Sequence, residues 1–168
     1  MIILLLAPFI VQTLVILFDE FYFHIRRGLP KWERIGHPLD TLTVLACFLF
    51  VLWVPYSALA LKFYIALAIF SCIFVTKDEF VHKECCPASE QWLHALLFLN
   101  HPIVLTATGC IWSVLESARV PDWLHSLVPH AIFLRTFLRV QSGFIALFFL
   151  YQCIYWNFLW KAQDKVPE

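Results

Sequence analysis

Five apolar runs dominate the chain: Ile2 to Phe18, Thr41 to Trp53, Ala58 to Val75, Trp92 to Leu115 and Phe144 to Trp160. With their uncharged flanks, most reach the roughly 17 to 25 residues that a membrane-crossing helix needs. The pattern predicts an all-α integral membrane protein with five transmembrane helices. Trp53-Val54-Pro55-Tyr56-Ser57 separates the second run from the third, and its proline and interfacial aromatics suit a tight turn at headgroup level.

The polar positions are as unevenly placed as the apolar ones. Eight of the twelve acidic residues and five of the seven histidines fall between Asp19 and Asp40 or between Asp78 and His101. Thirteen of nineteen such residues thus occupy 46 of 168 positions. Ionisable groups at membrane depth are costly unless paired, hydrated or metal-bound, so the two windows mark the expected functional site. Asp40 and His101 stand out because each lies in an apolar run that supplies no local partner.

Composition agrees with the pattern: 61% of residues are hydrophobic and 17% aromatic. The formal net charge is zero, and no basic run points to nucleic acid as a partner. Met1 leads into the first run without a basic segment or a clear cleavage site, so the first span is expected to be retained. Arg26, Arg27, Lys31, Arg34, Lys77, Lys83, Lys161 and Lys165 lie on one side of the alternating spans, against Lys62, Arg119, Arg135 and Arg139 on the other. The excess predicts a multi-pass topology with the N-terminus outside and the C-terminus cytoplasmic.

Alternating spans bring both acidic windows to one membrane face. In Glu20 and His24, Glu33 and His37, Asp78 and His82, and Glu90 and His94, an acid precedes a histidine by four residues. That interval stacks two side chains on one helix face. His37 is flanked by Gly36 and Pro38, and Pro38 suits the first turn of the second span. Both windows open with Asp-Glu-Phe, continue with a histidine and a Glu-x-x-x-His, and contain a His-Pro. We read this as a helical hairpin used twice, over residues 1–57 and 58–116, giving a four-helix bundle of parallel repeats. The fifth helix and tail, 131–168, are expected to pack outside it.

The parts resemble those of soluble di-metal carboxylate bundles in design, without the spacing that would indicate common membership. The expected ligand set is Asp19, Glu20, His24, Glu33, His37, Asp40, Asp78, Glu79, His82, Glu90, His94 and His101, holding two transition-metal ions. Mixed imidazole and carboxylate donors favour iron, then zinc, over calcium or magnesium. Iron implies an oxidoreductase that acts on a hydrophobic lipid-like or quinone substrate and needs an electron donor. Zinc implies a lipid or amide hydrolase. A metal transporter would need polar groups continued across the bilayer, and Thr41, Thr43, Thr106 and Thr108 are few. Spacing assigns no catalytic residue.

Plainer readings compete. Any one acid could simply pair with Arg26, Arg27, Arg34, Lys77 or Lys83 at the interface. Cys47, Cys72, Cys110 and Cys153 read as small buried hydrophobes, whereas Cys85 and Cys86, beside the second window, are candidates for a redox or metal role. His125 and His130 read as an ordinary segment on the far face, and Arg135 and Arg139 as anchors to headgroups. Tyr151, Tyr155, Trp156 and Trp160 read as an interfacial aromatic belt. The orientation has a direct check: a single cysteine at Lys31 should be shielded from an impermeant thiol reagent in intact cells, and labelling there would invert the topology.

Overall fold

The computed structural model describes residues 1–78, 86–116 and 120–160. All regular structure among them is helical. Helix α1 (Ile2–Phe18) runs into a π-helical turn, Asp19–His24, and a final turn, Ile25–Arg27. It is followed by α2 (Lys31–Trp53), α3 (Ala58–Val75), α4 (Ala88–Glu116) and α5 (Ala131–Ile154). A 3-10 segment, Asp122–His130, leads into α5, and a second π turn, Tyr155–Leu159, ends it. Five helices are long and apolar enough to cross a membrane, which is compatible with a multi-pass membrane protein. The exposed surface fits that setting. Ile3, Leu4, Trp92, Ile132 and Phe158 lie on the outside while Asp19, Glu33, Glu90 and His94 are buried, the reverse of what water selects.

Local chemistry explains where the helices start and stop. Gly28, at φ 75° and ψ 154°, breaks the first helix in a conformation that is essentially restricted to glycine. Pro30 then starts α2 from an extended backbone. The helix therefore begins ten residues before the apolar run, and Pro38 lies within it rather than in its first turn. A proline inside a helix leaves the carbonyl four residues earlier without its usual donor, and here Asn157 Nδ2 donates to Arg34 O at 3.4 Å. Ser57 caps α3 by accepting from the Ala60 amide at 3.1 Å.

The fifth helix does not sit outside a four-helix bundle. Its closest packing is along α2, while α1 packs along α4 and α3 against both α2 and α4. Phe9, Phe48, Ile111, Trp112, Leu134 and Leu138 join four helices in one apolar core. Polar contacts cross between helices at several levels: Asn100 Nδ2 donates to Pro8 O and to Gln12 Oε1, both at 2.8 Å, and Thr41 Oγ1 donates to Gln152 Oε1 at 2.7 Å. Such bonds satisfy groups that the bilayer cannot.

The far end is as expected. Ser126 lies near Met1, at the opposite end of α1 from Asp19, so His125 and His130 are remote from the acidic cluster. Their segment is a 3-10 turn with His125 Nε2 3.8 Å from Asp122.

Gly28 gives a stability test. A Cβ there would lie 2.6 Å from Trp160 Cζ2, in a backbone conformation other residues avoid. Gly28→Ala should therefore destabilise the protein by about 1–3 kcal/mol, while Gly143→Ala, with nothing within 4 Å of its Cβ, should be tolerated. Thermal unfolding of the two variants in detergent compares them directly.

Candidate metal centre

The end of α1, the start of α2 and the start of α4 meet in one buried cluster. Asp19, His24, Glu90 and His94 each present a ligand atom within 4.8 Å of the others, and His24, Glu33 and His37 form a second such group that shares His24. The acids are almost completely enclosed: relative exposure is 5% at Asp19 and 0% at Glu33 and Glu90.

The π turn makes this arrangement. In an α-helix the neighbours three and four positions along share a side chain's face, and the fifth does not. A turn closed by i→i+5 hydrogen bonds brings the fourth and fifth neighbours close to the same face. His24 accordingly meets two acids at once: its Nε2 is 3.1 Å from Asp19 Oδ2 and its Nδ1 is 3.1 Å from Glu20 Oε2. His94, reaching in from α4, places Nε2 3.1 Å from the same Asp19 oxygen. Glu90 Oε1 lies 3.8 Å from His24 Nε2, and Glu33 Oε2 lies 3.9 Å from His37 Nε2. The rings of His24 and His37 stack at 4.9 Å.

These separations suit shared cations. Two donors each about 2.0–2.2 Å from one ion stand roughly 3–4 Å apart, depending on the angle between them. Asp19 Oδ1 and Glu90 Oε2 are buried and take no hydrogen bond among the described residues. An anionic oxygen in that position carries a large desolvation cost unless a cation meets it.

One cation comes from the chain itself. Arg27 Nη2 donates to Glu33 Oε2 and Glu90 Oε1, each at 2.9 Å. The plain reading of ion pairing with Arg27 therefore applies to two acids of the cluster, but it does not balance them. Among the described residues, Asp19, Glu20, Glu33 and Glu90 set four acids against one guanidinium, more than Arg27 alone can pair.

Other expected ligands stand elsewhere. Glu20 lies in neither group: its Oε1 accepts from Trp156 Nε1 at 2.6 Å and Tyr151 Oη at 3.0 Å, while Oε2 holds His24. A carboxylate behind a histidine fixes ring orientation and raises ligand basicity, so Glu20 is placed to orient His24. Asp40 is claimed by Lys77, whose Nζ contacts both carboxylate oxygens at 2.6 and 2.7 Å. His101 bonds Ser71 Oγ at 3.0 Å. The side chain of Asp78, and Glu79, His82 and Cys85, lie outside the described residues. Burial pushes the thiol of Cys86 up, against the pull of Arg27, and keeps it protonated.

The spacing argument misses Arg27, Tyr151 and Trp156. Arg27 stands three residues after His24, so its proximity was legible. Trp156 is 1% exposed; it reads as a belt residue in sequence because nothing local shows that Glu20 lies beside it.

A cavity of about 130 Å³ opens beside the cluster, lined by Asp19, Glu20, His24, His37 and His94 at one end. Its remaining walls are mainly apolar, including Phe9, Phe48, Phe98, Phe144 and Phe148, with Gln12, Gln141 and His101 among them.

Arg27→Gln should remove the donor shared by Glu33 and Glu90 and lower stability toward the smaller end of about 3–5 kcal/mol, since the guanidinium is partly exposed. Adding Glu33→Gln should recover part of that loss, and an unchanged unfolding midpoint in the single variant would contradict the pairing. Comparison with family models, curated proteins and solved structures finds no match, so the chemistry of the centre rests on its own residues.

Proposed function

We propose that the protein is a membrane-embedded oxidoreductase whose paired transition-metal site, with iron favoured, acts on a hydrophobic lipid-like or quinone substrate near the cytoplasmic interface. The carrying observation is the joint burial of two ligand groups that share His24, with more carboxylate charge than Arg27 balances. Asp19, His24, Glu90 and His94 would hold one ion, and Glu33 and His37, which lie beside His24, would hold the second. Two ligand groups, rather than one, are what favour a pair of cations over a single one.

In this reading the end of α1 and the starts of α2 and α4 hold the centre, and α5 closes it through Trp156 and Tyr151. The N-terminus lies outside and the C-terminus in the cytoplasm, as the basic residues suggest. An iron pair held there would supply oxygen-dependent oxidation chemistry, with the reducing electrons coming from an external donor. The chain supplies the rest. Glu20 keeps Nδ1 of His24 engaged so that Nε2 would be left for one ion, Arg27 holds Glu33 and Glu90, and the phenylalanine walls give the cavity its apolar surface.

The cavity also supports an enzyme over a transporter. Polar side chains continue from the centre as far as Gln12 and His101, then give way to the apolar core around Phe9, Phe48, Trp112 and Leu138. A cation path would need ligands beyond that point.

Protein purified from iron-replete cells should show a reversible iron signal by Mössbauer spectroscopy, with oxygen and nitrogen ligation; a redox-silent, zinc-filled centre would overturn the oxidoreductase reading. His24→Ala and His94→Ala should each lower metal content and activity together, because both touch the shared site. His125→Ala and His130→Ala, at the other end, should change neither, and equal effects in the two groups would refute the one-face arrangement.

A further inference from the structure

The cavity carries a second polar station that the metal centre does not use. His101 lies seven residues beyond His94, about 10 Å along α4 and on the same helix face. It is 4% exposed and lines the cavity. Its hydrogens can be assigned by following a chain of bonds inward from α2.

Thr43 Oγ1 donates its single hydrogen to Asp40 O at 2.8 Å. With that hydrogen placed on Asp40 O, the 2.7 Å contact between Thr43 and Ser71, in which either oxygen could donate, carries the Ser71 hydrogen to Thr43 Oγ1. Ser71 then has only a lone pair to offer His101, and the 3.0 Å contact must be Nε2–H donating to Ser71 Oγ. This holds neutral His101 in one tautomer, with its proton on Nε2 and a bare acceptor lone pair on Nδ1. Nδ1 has no hydrogen-bond partner among the described residues.

A complementary group stands on another wall. Gln12 lines the same cavity, and Asn100 Nδ2 donates to its Oε1. Because Asn100 also donates to Pro8 O, the amide orientation is set by two acceptors, and Gln12 is left with its NH2 to offer. At this level the cavity offers an imidazole acceptor at His101 and an amide donor at Gln12, with Thr13, Asp40, Thr41, Gln141 and Gln152 as its further polar lining and the rest of the walls mainly apolar. A hydroxyl both donates and accepts, whereas a carbonyl only accepts and would leave His101 without a donor.

We propose that His101 is a ligand-anchoring residue: its Nδ1 receives the hydroxyl hydrogen of a hydroxylated apolar molecule whose body lies in the cavity. This deepens the reading of the cavity as the substrate chamber. It also sets register, because the hydroxyl is held about 10 Å from His94 along the helix and the part that meets the centre is a different part of the molecule. His101 is then an anchor rather than a metal ligand, and its hydrogen-bonding role needs no ion.

The test uses the full chain in detergent, both as purified and after metal removal, with histidine-selective nitrogen labelling. Two probe pairs are compared: phenol against benzene, and cyclohexanol against cyclohexane. The ring size is apt, since an apolar cavity of about 150 Å³ accepts benzene. The His101 nitrogens should report the Nε2–H tautomer in the free protein, and the Nδ1 resonance should shift toward a hydrogen-bonded acceptor with an alcohol but not with its hydrocarbon. Affinity for at least one alcohol over its hydrocarbon should exceed the same ratio in His101→Phe by about fivefold to tenfold, the worth of one neutral hydrogen bond. Comparing ratios between proteins removes differences in partition into the detergent.

A preference in the phenol pair alone assigns an aromatic hydroxyl, and one in the cyclohexanol pair alone an aliphatic hydroxyl; either supports the anchor. No preference in either pair, an Nδ1-protonated tautomer, or equal ratios in wild type and His101→Phe overturns it. Should His101→Phe fail to fold, the wild-type nitrogen shifts decide the matter alone. The result is independent of the metal reading: alcohol binding that survives metal removal supports the anchor even if the centre proves empty, while a filled iron centre without alcohol preference defeats the anchor alone.

Discussion

Four buried acids that meet one guanidinium among the described residues, enclosed at one end of a bundle with an apolar surface, are the constraint around which the fold is arranged. Asp19, Glu20, Glu33 and Glu90 come from three helices and meet one guanidinium, Arg27. Carboxylates so enclosed repel one another and lose their hydration, and a fold can hold them only by surrounding them with donors or cations. Most of the local irregularities have that purpose. The π turn gives His24 access to Asp19 and Glu20 together, Gly28 lets α1 end so that Arg27 can return to Glu33, and the close of α5 delivers Tyr151 and Trp156 to Glu20.

The compensation is graded from one acid to the next. Glu20 receives three donors and needs nothing further. Glu33 and Glu90 share Arg27, while Asp19 faces only imidazoles, His24 and His94, in the direction where Glu90 also points. The remaining charge is therefore concentrated between Asp19 and Glu90, where the donors are histidines. A divalent cation would satisfy that geometry, with each imidazole offering a ring nitrogen lone pair. Metal affinity should then fall as protons compete for the ligands.

The coarse architecture was legible because it depends on composition and period. Apolar runs gave five helices, and alternation of direction gave one face for Asp19, Glu33 and Glu90. Acid and histidine four residues apart correctly paired Glu20 with His24 and Glu33 with His37. Finer roles depended on contacts that no periodicity encodes. Glu20 and Asp19 are adjacent in sequence and look equivalent, yet a π turn and a tryptophan 136 residues away make one a support and leave the other facing the histidines. Asp40 looked unpartnered because Lys77 lies on another helix. His101 looked like a ligand because histidine and membrane depth suggested one; its partner Ser71 is a small residue in an otherwise apolar run, with no signal of its own. The fifth helix looked peripheral for the same reason, since tyrosine and tryptophan near a span end usually face headgroups.

Elemental analysis by mass spectrometry, on protein purified without chelators and normalised to chain concentration, tests the central claim most directly. The surplus of acids over Arg27 and the two ligand groups that share His24 predict close to two transition-metal ions per chain. Less than about half an equivalent would contradict the account and leave the cluster as a network of histidine, arginine and carboxylate contacts.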